Sequence, residues 1–335
     1  MRPAIALLAA AAVLVVVAGC VSTNAHDIAI DYYNLGNAYS GLGQYDKAAA
    51  MYQDAIRLDP TQDKARYNLA IALIQLEKPA DAVAICDELL VRDPKNTEVM
   101  ALRGWALHAE GKEEEALAQY NEILAISPEN QDAMYNAAII MWKLGRKQEA
   151  LDSLEKLLVI APEDLNALYG AGSLLLEFDQ PEKALEFLDR YLQKKPDDPD
   201  AQLLLADCYE RLQKYSQALD AYDRASSLDS KDPRGWFGKA RLLLTVVEDP
   251  AKGVSALKQA LQLGFNDMEA IKVLLASPLL LARDQVVAAL KERNMLPQGE
   301  PAAGEAPGAA PAPSGAPAPA PAAPEAAEPS PIPSK

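Results

Sequence analysis

Side chains that carry chemistry are scarce in this chain. Its 335 residues include three cysteines and two histidines, and neither type has the spacing of a metal site. The G-x-x-x-x-G-K-S/T loop of nucleotide-binding proteins and the G-x-S-x-G turn of serine hydrolases both have no match in the sequence. We therefore predict that the protein is not an enzyme and that it uses no metal and no cofactor.

Positive charge is also in short supply. The chain has 48 acidic and 32 basic residues, which gives a formal net charge of −16 at pH 7. A surplus of carboxylates repels phosphate groups, so the composition argues against nucleic acid and anionic lipid surfaces as principal partners.

The sequence instead repeats a pattern every 34 residues. Two apolar runs at helical spacing occur in each period, with a short polar turn between them. One helical hairpin of this kind cannot bury its own apolar faces, so the pattern predicts hairpins stacked in a line. The period is marked by prolines at Pro60, Pro94, Pro128, Pro162 and Pro196, and by alanines at Ala48, Ala82, Ala116, Ala150, Ala184 and Ala218.

Each recurring residue type has a physical role in such a hairpin. The alanine lets the two helices approach closely, and the proline prevents the second helix from continuing. Glycines in the polar turns suit a helix end that needs a positive φ, and they occur at Gly43, Gly111 and Gly145.

The first block, from Ala29, carries the motif most completely. It resembles the tetratricopeptide repeat (TPR), whose pattern W-x2-L-G-x2-Y…A-x3-F…P is met by Tyr32, Leu35, Gly36, Tyr39, Ala48, Tyr52 and Pro60. The resemblance implies an all-α fold, a right-handed α-α superhelix of about seven repeats with capping helices at the C-terminal end. The predicted repeats are residues 29–62, 63–96, 97–130, 131–164, 165–198, 199–232 and 233–265, and the capping helices are predicted at residues 266–296.

The N-terminus resembles that of a bacterial lipoprotein precursor. Arg2 precedes an uncharged apolar run at residues 4–18, and Val17-Ala18-Gly19-Cys20 is similar to a lipobox. The resemblance implies a signal peptide at residues 1–19, acyl chains such as palmitate on Cys20, and a tether at residues 20–28. An ordinary signal peptide cleaved elsewhere, or a retained anchor, is the alternative. The implied location is the bacterial envelope, at the periplasmic side of the outer membrane or the outer face of the cytoplasmic membrane.

The C-terminal segment has a different composition. Residues 297–335 contain 12 of the chain's 24 prolines, mostly separated by alanine, and no aromatic residue. Such a segment cannot offset its ordering entropy by burial, so we predict a disordered, extended tail. It is either a solvated spacer or a segment that reaches another layer of the envelope.

Cys86 and Cys208 are predicted to be small core residues. They lie about four repeats apart, which is too far for a disulfide in a stacked array.

The TPR resemblance also implies a binding groove lined by the first helix of each repeat. Trp105, His108, Ile139 and Trp142 are predicted to form an exposed patch there. The alternative is that one tryptophan packs against the neighbouring repeat. Acidic residues of repeat six and basic residues of repeat seven either form a solvated face or set the register of a partner. The predicted groove residues are Tyr33, Asn37, Tyr67, Asn68, Trp105, His108, Tyr135, Ile139, Trp142, Tyr169, Arg234, Phe237 and Arg241.

These features together predict a membrane-anchored scaffold or adaptor. Its partner would be another envelope protein or a peptide, held in the groove, in cell-envelope assembly or secretion. The alternative is a small-molecule-binding accessory protein of a solute transporter, with an apolar pocket near Trp105, Ile139 and Trp142.

Overall fold

The computed structural model describes residues 25–297, and in this range the backbone forms sixteen α-helices and no β-strand. Consecutive helices pack against each other as hairpins, so the all-α prediction is confirmed. The predicted signal peptide, Cys20 and the tail after Pro297 lie outside the described residues. The chain divides after Ala150 into two compact units, and we call their described parts unit 1 (residues 25–150) and unit 2 (residues 151–297).

Unit 1 begins with α1 at residues 25–41. Its other helices are α2 (Tyr45–Leu58), α3 (Asp63–Gln75), α4 (Pro79–Arg92), α5 (Thr97–Ala109), α6 (Glu113–Ile126) and α7 (Gln131–Lys143), and α8 (Lys147–Ile160) contains the division. Unit 2 continues with α9 (Leu165–Glu177), α10 (Pro181–Lys194), α11 (Pro199–Arg211), α12 (Tyr215–Leu228), α13 (Pro233–Thr245), α14 (Pro250–Gln262), α15 (Met268–Ala276) and α16 (Arg283–Glu292).

Each of the first six hairpins turns on one residue with a left-handed backbone. The predicted glycines Gly43, Gly111 and Gly145 have φ of 68°, 81° and 75°. The same position in the other hairpins keeps this conformation without glycine, at Glu77, Asp179 and Gln213. In the seventh hairpin the left-handed residue is Glu248, one position later, because that repeat is out of register by one residue.

The alanines of the repeat mark the closest approach of the two helices in a hairpin. All six, from Ala48 to Ala218, have no exposed surface. Glycine serves the same purpose on the facing helix in some hairpins. A Cβ atom on Gly104 would lie 2.9 Å from the ring of Tyr120, so only a residue without a side chain fits there.

The core is made of leucine, isoleucine and alanine side chains shared by neighbouring hairpins. Cys86 and Cys208 are fully buried and unpaired, as predicted. Burial raises the pKa of the Cys86 thiol to about 12, because the low-dielectric surroundings disfavour the thiolate.

Two short helices close the described part of unit 2. Asp267 caps α15 by accepting a hydrogen bond from the Ala270 amide, and this helix ends at Ala276. Val286 and Leu290 of α16 are fully buried in the same cluster as the seventh hairpin. α16 ends at Glu292, before the predicted boundary at residue 296, and Leu296 beyond it still packs against this cluster.

Candidate functional site on the first helices of the hairpins

The first helix of each hairpin, here called the A helix, lies beside the A helix of the next hairpin. α3 contacts α5 in unit 1, and α9 contacts α11 in unit 2. We call the surface formed by α1, α3, α5 and α7 the A-helix face of unit 1. Nine of the predicted groove residues are on these four helices.

Three half-buried aromatic rings follow one another along the A-helix face of unit 1. Tyr33 is on α1, Tyr67 on α3 and Trp105 on α5, and all three pack against one hydrophobic cluster while keeping part of their surface accessible. The Tyr67 hydroxyl is buried and has no hydrogen-bond partner in the described residues. Burial therefore raises the pKa of this phenol, which stays neutral and remains a donor.

The two predicted asparagines are joined in one network. Asn37 Oδ1 accepts hydrogen bonds from the Tyr52 hydroxyl and from Asn68 Nδ2, both at 2.8 Å. These bonds fix the amide of Asn37 and direct its Nδ2 donor away from the Tyr52 hydroxyl. The network couples the first hairpin to α3 and gives this face a rigid polar group next to the aromatic rings.

His108 is held by two charged neighbours that the repeat pattern does not indicate. Its Nδ1 is in contact with Glu113 Oε2, and its Nε2 lies 3.3 Å from Lys143 Nζ. With the proton on Nδ1, the ring donates to the carboxylate and accepts from the ammonium. The 34-residue period contains no signal for this triad because Glu113 and Lys143 lie at the ends of two other helices, α6 and α7.

The expectation of an exposed patch is wrong for three residues of α7. Tyr135, Ile139 and Trp142 are only 8%, 9% and 8% exposed. Burying a large apolar side chain stabilises the folded state by about 1.5–3 kcal/mol relative to leaving it in water. This gain favours packing these side chains into the fold. Of the two predicted tryptophans, Trp105 is the more exposed.

Two predicted groove residues of unit 2 are also engaged in packing. The ring of Tyr169 lies 5.4 Å from that of Tyr191, and the Tyr191 hydroxyl donates to Asp198. Phe237 is a core residue, stacked on Phe265 at 3.9 Å between ring centroids. The segment leading to the capping helices therefore covers Phe237, and its assignment to an open groove is wrong.

The acidic and basic residues of repeats six and seven are paired with each other. Arg241 Nη2 lies 2.6 Å from Glu210 Oε1, and Arg234 is paired with Asp200 and Asp232. Burial lowers the pKa of both guanidinium groups, but their carboxylate partners outweigh it, and the pKa of each is raised. Both pairs join α11 to α13. The Arg241–Glu210 pair is largely buried, whereas Arg234 and Asp200 are about half exposed and fit the solvated-face alternative.

Residues 25–297 contain no group of three or more His, Cys, Asp or Glu side chains able to hold a metal ion. No described helix is both long and apolar enough to cross a membrane.

A family model described as tetratricopeptide repeat matches residues 40–106, 107–175 and 175–242. The chain belongs to the tetratricopeptide repeat family. The match covers more than half of the sequence, so each unit is a TPR solenoid and the resemblance seen in the first block is confirmed. TPR proteins are generally non-catalytic scaffolds for protein or peptide partners. The comparison with curated proteins finds no match.

Solved structures support the fold. The C-terminal part of a TPR repeat-containing protein from Cytophaga hutchinsonii is 16% identical, covers 72% of this chain and 98% of its own, and has a TM-score of 0.59. PilW, a type IV pilus biogenesis factor, is 20% identical over 60% of this chain and 93% of its own, with a TM-score of 0.53. YrrB, a TPR protein with an unusual peptide-binding site, is 20% identical over 56% and 96%, with a TM-score of 0.51.

Proposed function

We propose that this protein is a membrane-anchored TPR scaffold that binds a protein or peptide partner on the A-helix face of unit 1. Its task would be cell-envelope assembly or secretion. The observation that carries the proposal is the row of half-buried rings on three successive A helices, Tyr33, Tyr67 and Trp105.

Such rings are suited to anchoring a partner. Aromatic side chains supply large contact areas at a low cost in conformational entropy, and they dominate the binding energy of many interfaces. The neighbouring amide of Asn37 can donate to a peptide carbonyl, because its own oxygen is already occupied by two donors. Apolar anchors beside a fixed polar group are what recognition of an extended chain or a partner helix requires.

The membrane anchor in this proposal rests on the lipobox-like segment that ends at Cys20. Acyl chains contribute about 0.8 kcal/mol per buried methylene, so several of them hold a protein firmly on a bilayer. The proposed location is the periplasmic side of the outer membrane, or else the outer face of the cytoplasmic membrane. YrrB and PilW are precedents for a TPR protein that binds a peptide and for one that acts in pilus biogenesis.

The anchor is tested by the substitution Cys20→Ser. We expect metabolically supplied palmitate to label the unchanged chain and not the variant, and we expect the variant to leave the membrane fraction after lysis. Equal labelling of both proteins would contradict lipidation at this residue.

The groove is tested by the substitution Trp105→Ala. Partners captured with the affinity-tagged chain from detergent-solubilised envelopes are quantified by mass spectrometry. We expect the main partner to be lost with Trp105→Ala and retained with Phe187→Ala, which removes a half-buried ring from the second helix α10. Equal capture by both variants, with unchanged circular dichroism, would count against the A-helix face.

The alternative is a small-molecule-binding accessory protein of a solute transporter. It predicts an apolar cavity near Trp105, Ile139 and Trp142. A cavity of about 700 Å³ is present in unit 2, and it is lined by none of these three residues. No observation in the described residues favours this alternative.

A further inference from the structure

Unit 2 contains a cleft lined by residues of α10, α11 and α12. It has a volume of about 700 Å³, within the usual range for ligand sites. Residues of α10 and α12, which are second helices of neighbouring hairpins, form two of its walls. α11 contributes Gln202, Leu205 and Tyr209, and the connection before it contributes Pro196 and Asp197.

One residue of this cleft has an unsatisfied polar group. Gln202 is only 3% exposed, and its Nε2 donates a long hydrogen bond of 3.4 Å to the Pro196 carbonyl. Its Oε1 is buried and accepts no hydrogen bond in the described residues. A buried acceptor without a partner costs about 1–3 kcal/mol, and the terminal torsion of glutamine turns easily. A ligand that brings an N–H donor into the cleft would remove this cost.

The charges of the cleft favour a cation. Its lining includes three aspartates and one arginine, Arg224, and Lys239 offsets one of the aspartates, so the formal charges sum to about −1. Lys239 pairs with Asp223, whereas Asp189 and Asp197 have no ion-pair partner within 4.0 Å among the described residues. Partial burial raises the pKa of Asp189, and the charge of Lys214 opposes that effect in part, as a bound cation also would.

We propose that this cleft binds a lysine or arginine side chain of a partner polypeptide. The apolar stem would lie against Leu205 and Tyr209, and the charged head would donate to Asp189, Asp197 and Gln202 Oε1. Arg224 and Gln193 at the same cleft can bond to the carbonyl groups of the flanking peptide, which a simple amine lacks. This site is separate from the A-helix face, so the protein would have two attachment points.

The probe is a fluorescein-labelled pentapeptide with a central lysine between two leucines and two terminal glycines. Its binding to the full chain in detergent is measured by fluorescence anisotropy. We expect saturable binding that weakens as salt is raised, because the carboxylates are partly exposed and screened. A peptide with norleucine in place of lysine should bind at least about tenfold more weakly.

Two variants test the residues. Asp189→Asn combined with Asp197→Asn should weaken peptide binding by about tenfold. The matched control, Glu182→Gln combined with Glu186→Gln, changes the same net charge at exposed positions of α10 outside the cleft, and its affinity should stay within about twofold. Gln202→Leu should weaken binding while leaving the thermal midpoint unchanged or higher, because it removes an unpaired buried amide.

Several results would overturn the proposal. They are equal binding of the norleucine peptide, unchanged affinity of the aspartate variant, and unchanged affinity of Gln202→Leu. Displacement of the peptide by cadaverine at equal concentration would reassign the cleft to small amines. Trp105→Ala should leave binding of this peptide intact. A failure of the cleft proposal can therefore be told apart from a failure of the proposed function.

Discussion

At the scale of single residues, the hairpins are shaped by the sizes of side chains that meet between their two helices. Gly36 faces the ring of Tyr52, and Gly104 faces the ring of Tyr120, each at a distance where a Cβ atom would overlap the ring. Both rings are only 1% exposed, so they cannot swing away into solvent. A large ring on one helix is thus matched by a missing side chain on the other.

We expect Gly104→Ala to lower the free energy of unfolding by about 1–3 kcal/mol. The new methyl group would lie 2.9 Å from Tyr120 Cζ, and overpacking a rigid core outweighs the roughly 1 kcal/mol gained from alanine's helix propensity. Chemical denaturation followed by circular dichroism measures the change.

The control is Gly41→Ala, near the end of α1, where nothing lies within 4 Å of the added Cβ. This variant should be as stable as the unchanged protein or more stable, by up to about 1 kcal/mol. If both variants lose the same stability, the contact with Tyr120 does not explain the glycine.

Burial of individual rings was the least predictable property at this scale. The TPR pattern indicates which positions of an A helix line the predicted groove, and both Trp105 and Trp142 occupy such positions. Trp105 is partly accessible, whereas Trp142 is 8% exposed. The difference depends on the sizes of all neighbouring side chains, which a position within a repeat does not encode.

At the scale of helices, the A helices of repeats three to seven begin with the same cap. The side chain at each of these positions accepts a hydrogen bond from a backbone amide in the first turn, and satisfies a donor that the helix itself leaves unpaired. The caps are Asn96, Asn130, Asp164, Asp198 and Asp232, spaced by 34 residues.

We expect Asn130→Ala to lower the free energy of unfolding by about 1 kcal/mol, because it removes the bond to the Ala133 amide. Gln62 occupies the equivalent position before α3 but makes no side-chain cap bond. Gln62→Ala should therefore change stability by less than about 0.5 kcal/mol. Equal losses in thermal unfolding of the two variants would show that the cap bond is not what stabilises α7.

The helices themselves were largely predictable from sequence, because proline, glycine and alanine recur at positions where backbone geometry demands them. The ion pairs between helices were not. The repeat pattern places Glu210 and Arg241 on successive A helices, but it does not show that they meet each other at 2.6 Å. Only the rotation of α13 against α11 brings them together, and the period alone does not specify that rotation.

At the scale of the whole molecule, each compact unit is a TPR solenoid with its own features. Unit 1 carries the half-buried rings of the proposed partner site, and unit 2 carries the acidic cleft on its second helices. The sequence predicted the family, and it places the proposed partner site on the A helices. It contained no signal for the cleft, since the cleft arises from the gap between α10 and α12 and from one buried glutamine.

The most direct measurement of the central claim is site-specific photo-crosslinking in intact cells. A benzophenone amino acid replaces Trp105 in one protein and Phe187 in another, and adducts are identified after irradiation. If the A-helix face of unit 1 holds the partner, position 105 gives a discrete adduct with one envelope protein and position 187 does not. A protein that still captures this partner, yet forms its adduct at position 187 and none at position 105, would contradict the account.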